Sequence, residues 1–283
     1  LTPNPDVIYI NPLYDTRQGP VVLEIPAVEG VSSLTGSVDD GWQTAIEDIG
    51  PAGVDKGKGG KYLILPPNYK DIPPIGYIPL QSSTYTGFAI LRSNLTDGSP
   101  NDIKRAVEYG KKVKIYPLSE ADNPPATTFV DLINVDFSNT IPYSVHFFEV
   151  LNQFVQREPW LTRDLLMIDQ LKSIGIEKGK IFQTDARRQE ILSAAIKDAH
   201  NWIDKKYEKI FTPPFYDNTN WALPASPDVV KAIMSNYLAP NLYPVDERAI
   251  SYSMSYFSAK KLGTGQFYLM SIKNDNEHSF DGS

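Results

Sequence analysis

The sequence predicts a mainly β protein of the α+β class, and three observations point there. Sixteen Tyr, twelve Phe and twenty-three Pro stand against four Met in 283 residues; aromatic side chains suit a pleated, half-buried surface and Pro interrupts helices. Short apolar runs bounded by Gly, Pro and Asp recur from Val21 to Leu118, the punctuation of a β-meander. Only in the middle third does the apolar period change to three and four residues. The expected organisation is a β domain over residues 1–126, a helical subdomain over 127–225, and the beginning of a second β domain over 226–283 that is incomplete in this chain.

The opening, Leu1 to Pro26, carries the densest signal. Pro3 and Pro5 restrict the backbone around Asn4, while Asp6, Tyr9, Asn11, Tyr14, Asp15 and Arg17 gather polar side chains within a short span. Gly19 and Pro20 then punctuate, and Val21 to Ile25 reads as a strand closed by Pro26. One reading is an edge strand entered through a Pro-rich turn; the other is a rigid wall of a pocket.

Val31 to Val38 follows as a strand, with Asp39, Asp40, Gly41 and Trp42 after it. The loop Gly53 to Lys61 lacks the Gly-x-x-x-x-Gly-Lys-Ser/Thr spacing of a phosphate loop and runs into a strand, Tyr62 to Leu65, so it is expected to be a hairpin turn. Tyr77 to Leu80 and Thr84 to Arg92 supply further strands. Asp97 to Pro100 make a turn, Asn101 to Lys112 a short helix with Ile103, Val107 and Tyr109 inward, and Lys114 to Leu118 a strand. The Pro-rich stretch Glu120 to Ala126 ends the first domain, and Asp131 to Phe137 is an entry strand for the next.

Helical spacing then takes over. Phe147, Val150, Leu151, Phe154 and Val155 define one helix ended by Pro159; Leu165, Leu166, Ile168 and Leu171 define a second closed by Gly175. A third runs from Ala186 to Lys209, capped by Thr184 or Asp185, with Leu192, Ala195, Ile196, Ala199 and Ile203 on one face. A further helix over Pro227 to Tyr237 and strands at Ile250 to Phe257 and Gln266 to Ile272 complete the reading.

The runs TPNPDVIY, GPVVLEIP, GGKYLILPPNYK and ILRSNLTDGSPNDIKRAVEYGKKVKIYPLS, in that order over about the first 120 residues, resemble the family catalogued as domain of unknown function twelve-fifty-four. Weaker echoes reach LKSIGIEKGKIF and the final FDGS. The resemblance implies a jelly-roll-like antiparallel β-sandwich, a second partner domain (twelve-fourteen) whose start the last residues echo, and an exported or envelope-associated, extracytoplasmic setting. It implies no established reaction. It also places Arg92 where the family has an arginine after an apolar strand; Arg92 is then either a surface arginine closing that strand or the partner of a carboxylate in the opening segment, with Asp6 the first candidate. The chain starts at Leu1 and stops inside an expected turn, so it is read as a fragment or trimmed piece of a longer protein.

A formal net charge of −7 and a pI near 5.1 argue against nucleic acid and anionic membrane surfaces as partners. The absence of Cys removes disulfides and thiolate chemistry, and no run of apolar residues reaches the length of a transmembrane helix. His146, His200 and His278 are too scattered for a local metal motif, and no metal or cofactor is expected. No Gly-x-Ser-x-Gly occurs. Asp39 and Asp40, adjacent on a strand, point to opposite faces and do not form a glycosidase pair. Trp42 is a core aromatic or a stacking platform. Asn94-Leu95-Thr96 is a glycosylation sequon.

The candidate pocket is therefore Asn4, Asp6, Tyr9, Trp42 and Arg92. The expected function is a ligand-binding or surface-assembly protein, a homo-oligomer whose strands near 250–272 pair with a further segment or another subunit. The alternative is a hydrolase or metal-assisted enzyme working between two β-sandwich domains with Asp6, Tyr9, Arg92 and His146.

Overall fold

The computed structural model describes residues 6–132, 135 and 143–210, without the side chains of 204 and 206–210. Among the described residues nine strands form two sheets: β1 (Val7–Ile10), β2 (Leu13–Asp15), β3 (Val21–Ile25), β4 (Leu34–Asp40), β5 (Ala45–Ile49), β6 (Gly60–Leu65), β7 (Ile78–Gln81), β8 (Thr86–Asn94) and β9 (Lys114–Pro117). The first sheet runs β1-β8-β4-β5, with β2 also on β8; the second runs β7-β6-β3-β9. Every pairing is antiparallel except β6 with β7. The described residues are mainly β with added helices, the first sheet antiparallel and the second mixed.

Alternation explains the layering. Val21, Leu23 and Ile25 of β3 and Tyr62 and Ile64 of β6 face Leu34, Val38, Ala89 and Leu91 of the first sheet in one core. The intervening Val22, Leu63 and Leu65 pack outward with Tyr116, under Tyr69, Tyr77 and Leu118. A run such as VVLEI is apolar on both faces because both faces are covered. The expected edge strand Val21–Ile25 is therefore corrected: β3 is interior, hydrogen-bonded to β6 on one side and β9 on the other.

The Gly53–Lys61 loop is likewise not a hairpin turn. It carries the chain from β5, in the first sheet, to β6, in the second. Its organiser is the buried Asp55, whose carboxylate accepts from Gly50 N (2.7 Å) and Gly59 N (3.0 Å), satisfying two loop amides with one side chain.

Helix α1 (Pro100–Gly110) starts at Ser99, whose hydroxyl accepts from Asp102 N, with Pro100 in the first turn. Its inward face is Asp102, Ala106 and Tyr109, whereas Ile103, expected inward, is exposed. The reason is Asp102, which takes three backbone N–H groups of the preceding turn, Thr96, Asp97 and Gly98, and an ion pair with Arg105. Burial disfavours its charge, but those donors outweigh it and hold the carboxyl well below the usual carboxylate range. Asp102 therefore stabilises the fold fully above about pH 4, and the contribution is lost as pH falls through its lower folded value. Asp102→Asn is expected to cost about 2 kcal/mol at neutral pH and to flatten the acid limb of stability, read by urea unfolding at pH 7 and pH 3. Parallel acid limbs for variant and wild type would contradict it.

Helices α2 (His146–Arg157) and α3 (Leu165–Ser173) belong to the same compact unit as the sheets, which runs through Thr184. Val155, Leu171 and Ile176 form their own small core with Phe148 and Trp160. Lys178 Nζ donates to the carbonyls of Val155, Gln156 and Glu158, closing the end of α2 with a cation where the helix dipole favours one. Gly175, with φ of 90°, follows α3 in the left-handed region expected after a helix end.

The second unit contains Tyr143–Val145 and α4 (Ala186–Ile210). Of the two proposed caps, Asp185 is the one whose side chain accepts from Arg188 N, at 2.7 Å. Leu192 and Ile196 are buried, while Ala195, Ala199 and Ile203 of the expected stripe are exposed. His200 stacks on Tyr143 with ring centroids 3.8 Å apart. Among the described residues no helix is long and apolar enough to cross a membrane. The expected helix over 227–237, the strands at 250–257 and 266–272, and most of 131–137 lie outside the described residues.

Candidate functional site

Sheet register decides which of the sequence candidates meet. In antiparallel sheets directly opposed residues share a face, and Arg92 of β8 lies opposite Tyr9 of β1 on one side and Thr35 of β4 on the other. The Tyr9 ring centroid is 5.5 Å from the Arg92 guanidinium carbon, within cation–π range. Two residues along, Ile90 opposes Ser37; two further, Phe88 opposes Asp39 and Leu13. These rows form the outer face of the first sheet, because the alternate residues Leu91, Ala89 and Val38 fill the core.

Asp39 is the carboxylate that the register places on this face, opposite Phe88. Ser37 Oγ donates to its carboxylate at 2.9 Å. Burial pushes its pKa up, against that hydrogen bond, with Asp40 and Asp48 adding repulsion and Arg92 acting the other way. Asp6, the expected partner, is exposed just ahead of β1, where its carbonyl accepts from Leu95 N at 2.9 Å. Asn4 lies outside the described residues.

Asp40 turns to the other face, as strand alternation predicts. Its carboxylate accepts from Trp42 N and Thr44 N, both at 2.9 Å, and from Ser83 Oγ, and pairs with Arg163 at 3.3 Å. Burial works against its charge, but these donors prevail and hold its pKa below the ordinary carboxylate value. Trp42 lies beyond the end of β4, the strand's length away from the Arg92 row, with its half-buried ring edge-on to Phe154 at 4.5 Å. It is a packing aromatic at the junction with α2, so the structure does not bring it to Tyr9 and Arg92.

Beside that junction lies Glu158, a carboxylate that sequence reading missed. It is only 1% exposed. It accepts from Tyr85 N, Thr86 N (3.1 Å) and Thr86 Oγ1, with Arg157 at 3.5 Å. The one available signal was a carboxylate immediately before Pro159 at a helix end. Nearby, Tyr14 Oη donates to the Asp39 carbonyl at 2.9 Å and lies 3.2 Å from Ser82 Oγ; burial pushes its pKa up to about 12. Tyr14 therefore serves as a buried hydrogen-bond donor at neutral pH.

His146 is exposed at the start of α2, 3.0 Å from Glu149, and His278 lies outside the described residues. Among the described residues no three His, Asp or Glu side chains group as metal ligands. Asn94 of the sequon is half-buried in β8, its amide donating to Ser33 Oγ at 3.0 Å, so that side chain is engaged in the fold.

The nine strands and α1 end at Pro117, which supplies a boundary for comparison with known proteins. Residues 1–117 match the family model described as Protein of unknown function (DUF1254). The DUF1254 match thus spans both sheets and stops with β9. Among solved structures, the VPA0106 protein of Vibrio parahaemolyticus is similar at a TM-score of 0.57 and 16% identity, over 86% of this chain and 59% of that one. At that identity the likeness concerns the fold, and this chain spans little more than half the length of the Vibrio protein. No curated protein matches the chain.

Proposed function

We propose that the chain is a binding and assembly module of a jelly-roll-like, extracytoplasmic protein, with the outer face of the first sheet as its recognition surface. The observation that carries this reading is the three-strand row Tyr9–Arg92–Thr35, continued by Ile90, Phe88 and Leu13. Tyr, Phe and Arg are the residues enriched where proteins meet. Backbone pairing on both flanks of β8 fixes their spacing, so they are pre-ordered for a partner at little entropic cost. The buried carboxylates Asp55, Asp102 and Glu158, in contrast, spend their acceptors on backbone amides. The partner supported by this face is another subunit of the same protein.

The test is light scattering with size exclusion on the full-length protein. Arg92→Glu with Tyr9→Ala is expected to weaken self-association at least about tenfold, as expected for loss of central contacts, with circular dichroism confirming that the variant folds. A wild type that stays monomeric at high concentration, or a variant that associates unchanged, would sink the reading.

One observation favours a second reading, a hydrolase or metal-assisted enzyme: Asp39 has an upward-shifted pKa and shares its face with Arg92. That reading expects Asp39→Asn to abolish turnover found in a screen of esters, glycosides and phosphate esters. Turnover that survives Asp39→Asn removes it.

A further inference from the structure

Away from the Arg92 face, the turn after α1 and the first residue of β9 form a groove with the Pro-rich segment that follows. The cavity is about 660 Å³ and is lined by Lys111, Lys112, Lys114, Pro124, Pro125 and Phe129, among others. That volume lies within the range of small-molecule sites. Val113 of the lining is buried, and the two segments are tied together by Thr127, whose hydroxyl accepts from Ile115 N at 3.2 Å.

The three cations differ in what already occupies them. Lys112 pairs with Glu29 and lies 5.8 Å above the Tyr109 ring; Lys114 is 3.4 Å from Glu24. Glu24 in turn accepts from Tyr116 Oη at 3.0 Å. Lys111, exposed at the end of α1, has no ion pair among the described residues. The helix end alone explains one cation there. It does not explain three lysines in four positions against a wall of Pro124, Pro125 and the Phe129 ring in a chain whose net charge is −7.

We propose that this groove binds an organic anion with a flat apolar body and a single carboxylate. Lys111 provides the charge contact, Lys112 and Lys114 stay in their pairs with Glu29 and Glu24 at the groove's edge, and the prolines and Phe129 provide the apolar wall. A bare inorganic anion would leave that wall unused, and a neutral arene would leave Lys111 unused, so both parts of the ligand are required. The surface is separate from the Arg92 face, and the proposal stands independently of the assembly reading.

The experiment is calorimetric titration of the full chain with 2-naphthoate, with 2-naphthalenemethanol and inorganic phosphate as comparisons. Saturable binding of naphthoate at least tenfold tighter than either comparison is expected. Lys111→Glu should weaken it at least tenfold, Lys111→Arg should retain it, and Lys104→Glu, elsewhere on α1, should leave it unchanged. Both positions are exposed, and circular dichroism confirms that each variant folds. Absence of saturable binding at millimolar naphthoate, equal binding of phosphate or the alcohol, or indifference to Lys111→Glu would each overturn the proposal.

Discussion

Replacing Glu158 with alanine is expected to cost about 3 kcal/mol of stability, the scale for removing the acceptor from a set of buried donors. The carboxylate stands at the end of α2 yet bonds the start of β8, so it ties two elements more than seventy residues apart in sequence. Without it the N–H groups of the half-buried Tyr85 and Thr86 and the Thr86 hydroxyl lose their buried acceptor. The side chain's packing volume is lost as well. Glu158→Gln keeps one acceptor oxygen but turns an NH2 toward a second N–H donor, and is expected to recover about half of the loss. Urea unfolding measures both variants, and hydrogen exchange locates the effect: amides of α2 should exchange faster before those of β3 and β6 do. An alanine variant within about 1 kcal/mol of wild type would show that the contact is dispensable.

Gly36→Ala is expected to be similarly costly, about 3 kcal/mol or a failure to accumulate as soluble protein. Gly36 sits on the core face of β4, between β5 and β8. A Cβ there would lie 2.0 Å from the Ile90 carbonyl oxygen and 2.9 Å from its carbon, both backbone atoms that move only if the strand moves. Gly98→Ala is the matched comparison: its φ is +69° and a Cβ there meets nothing within 4 Å. It carries only the conformational penalty, about 1 kcal/mol. Equal losses for the two substitutions would mean that backbone conformation, not close approach, sets the cost at Gly36.

Much of the local structure was legible because local rules govern it. Pro159 and Gly175 bound α2 and α3 by removing a donor and by reaching left-handed space. Ser99 with Pro100, and Asp185, mark helix starts by satisfying free amides. The strands at Val21, Tyr62, Thr84 and Lys114 follow from apolar runs between turn residues. The split of Asp39 and Asp40 to opposite faces follows from the two-residue period alone.

What failed concerned partners. Nothing in GVDKGKGGK says whether the next strand returns beside the last or crosses to another sheet; Asp55 bonding to Gly50 and Gly59 serves either outcome. Ile103 looked inward because it is apolar, but Asp102, already bound to the Thr96–Gly98 turn, fixes the rotation of α1. Trp42 was grouped with Tyr9 and Arg92 by residue type, and the length of β4 separates them.

The sequence by itself determined that the chain is mainly β with helices in its middle third, that α1 starts at Ser99 and that α2 and α3 end before Pro159 and Gly175, and that Tyr9 and Arg92 are notable; it offered no signal for β1, β2 or β5. The legible features follow from backbone sterics, hydrogen-bond donors and apolar periodicity, all set within a few residues. Only the tertiary structure decided that β3 is interior, that Glu158 closes the start of β8, and that Arg92 shares its face with Tyr9, Thr35 and Asp39. Strand register is a choice among many pairings of similar local energy, settled by the summed burial of both faces at once, so no short stretch of sequence contains it.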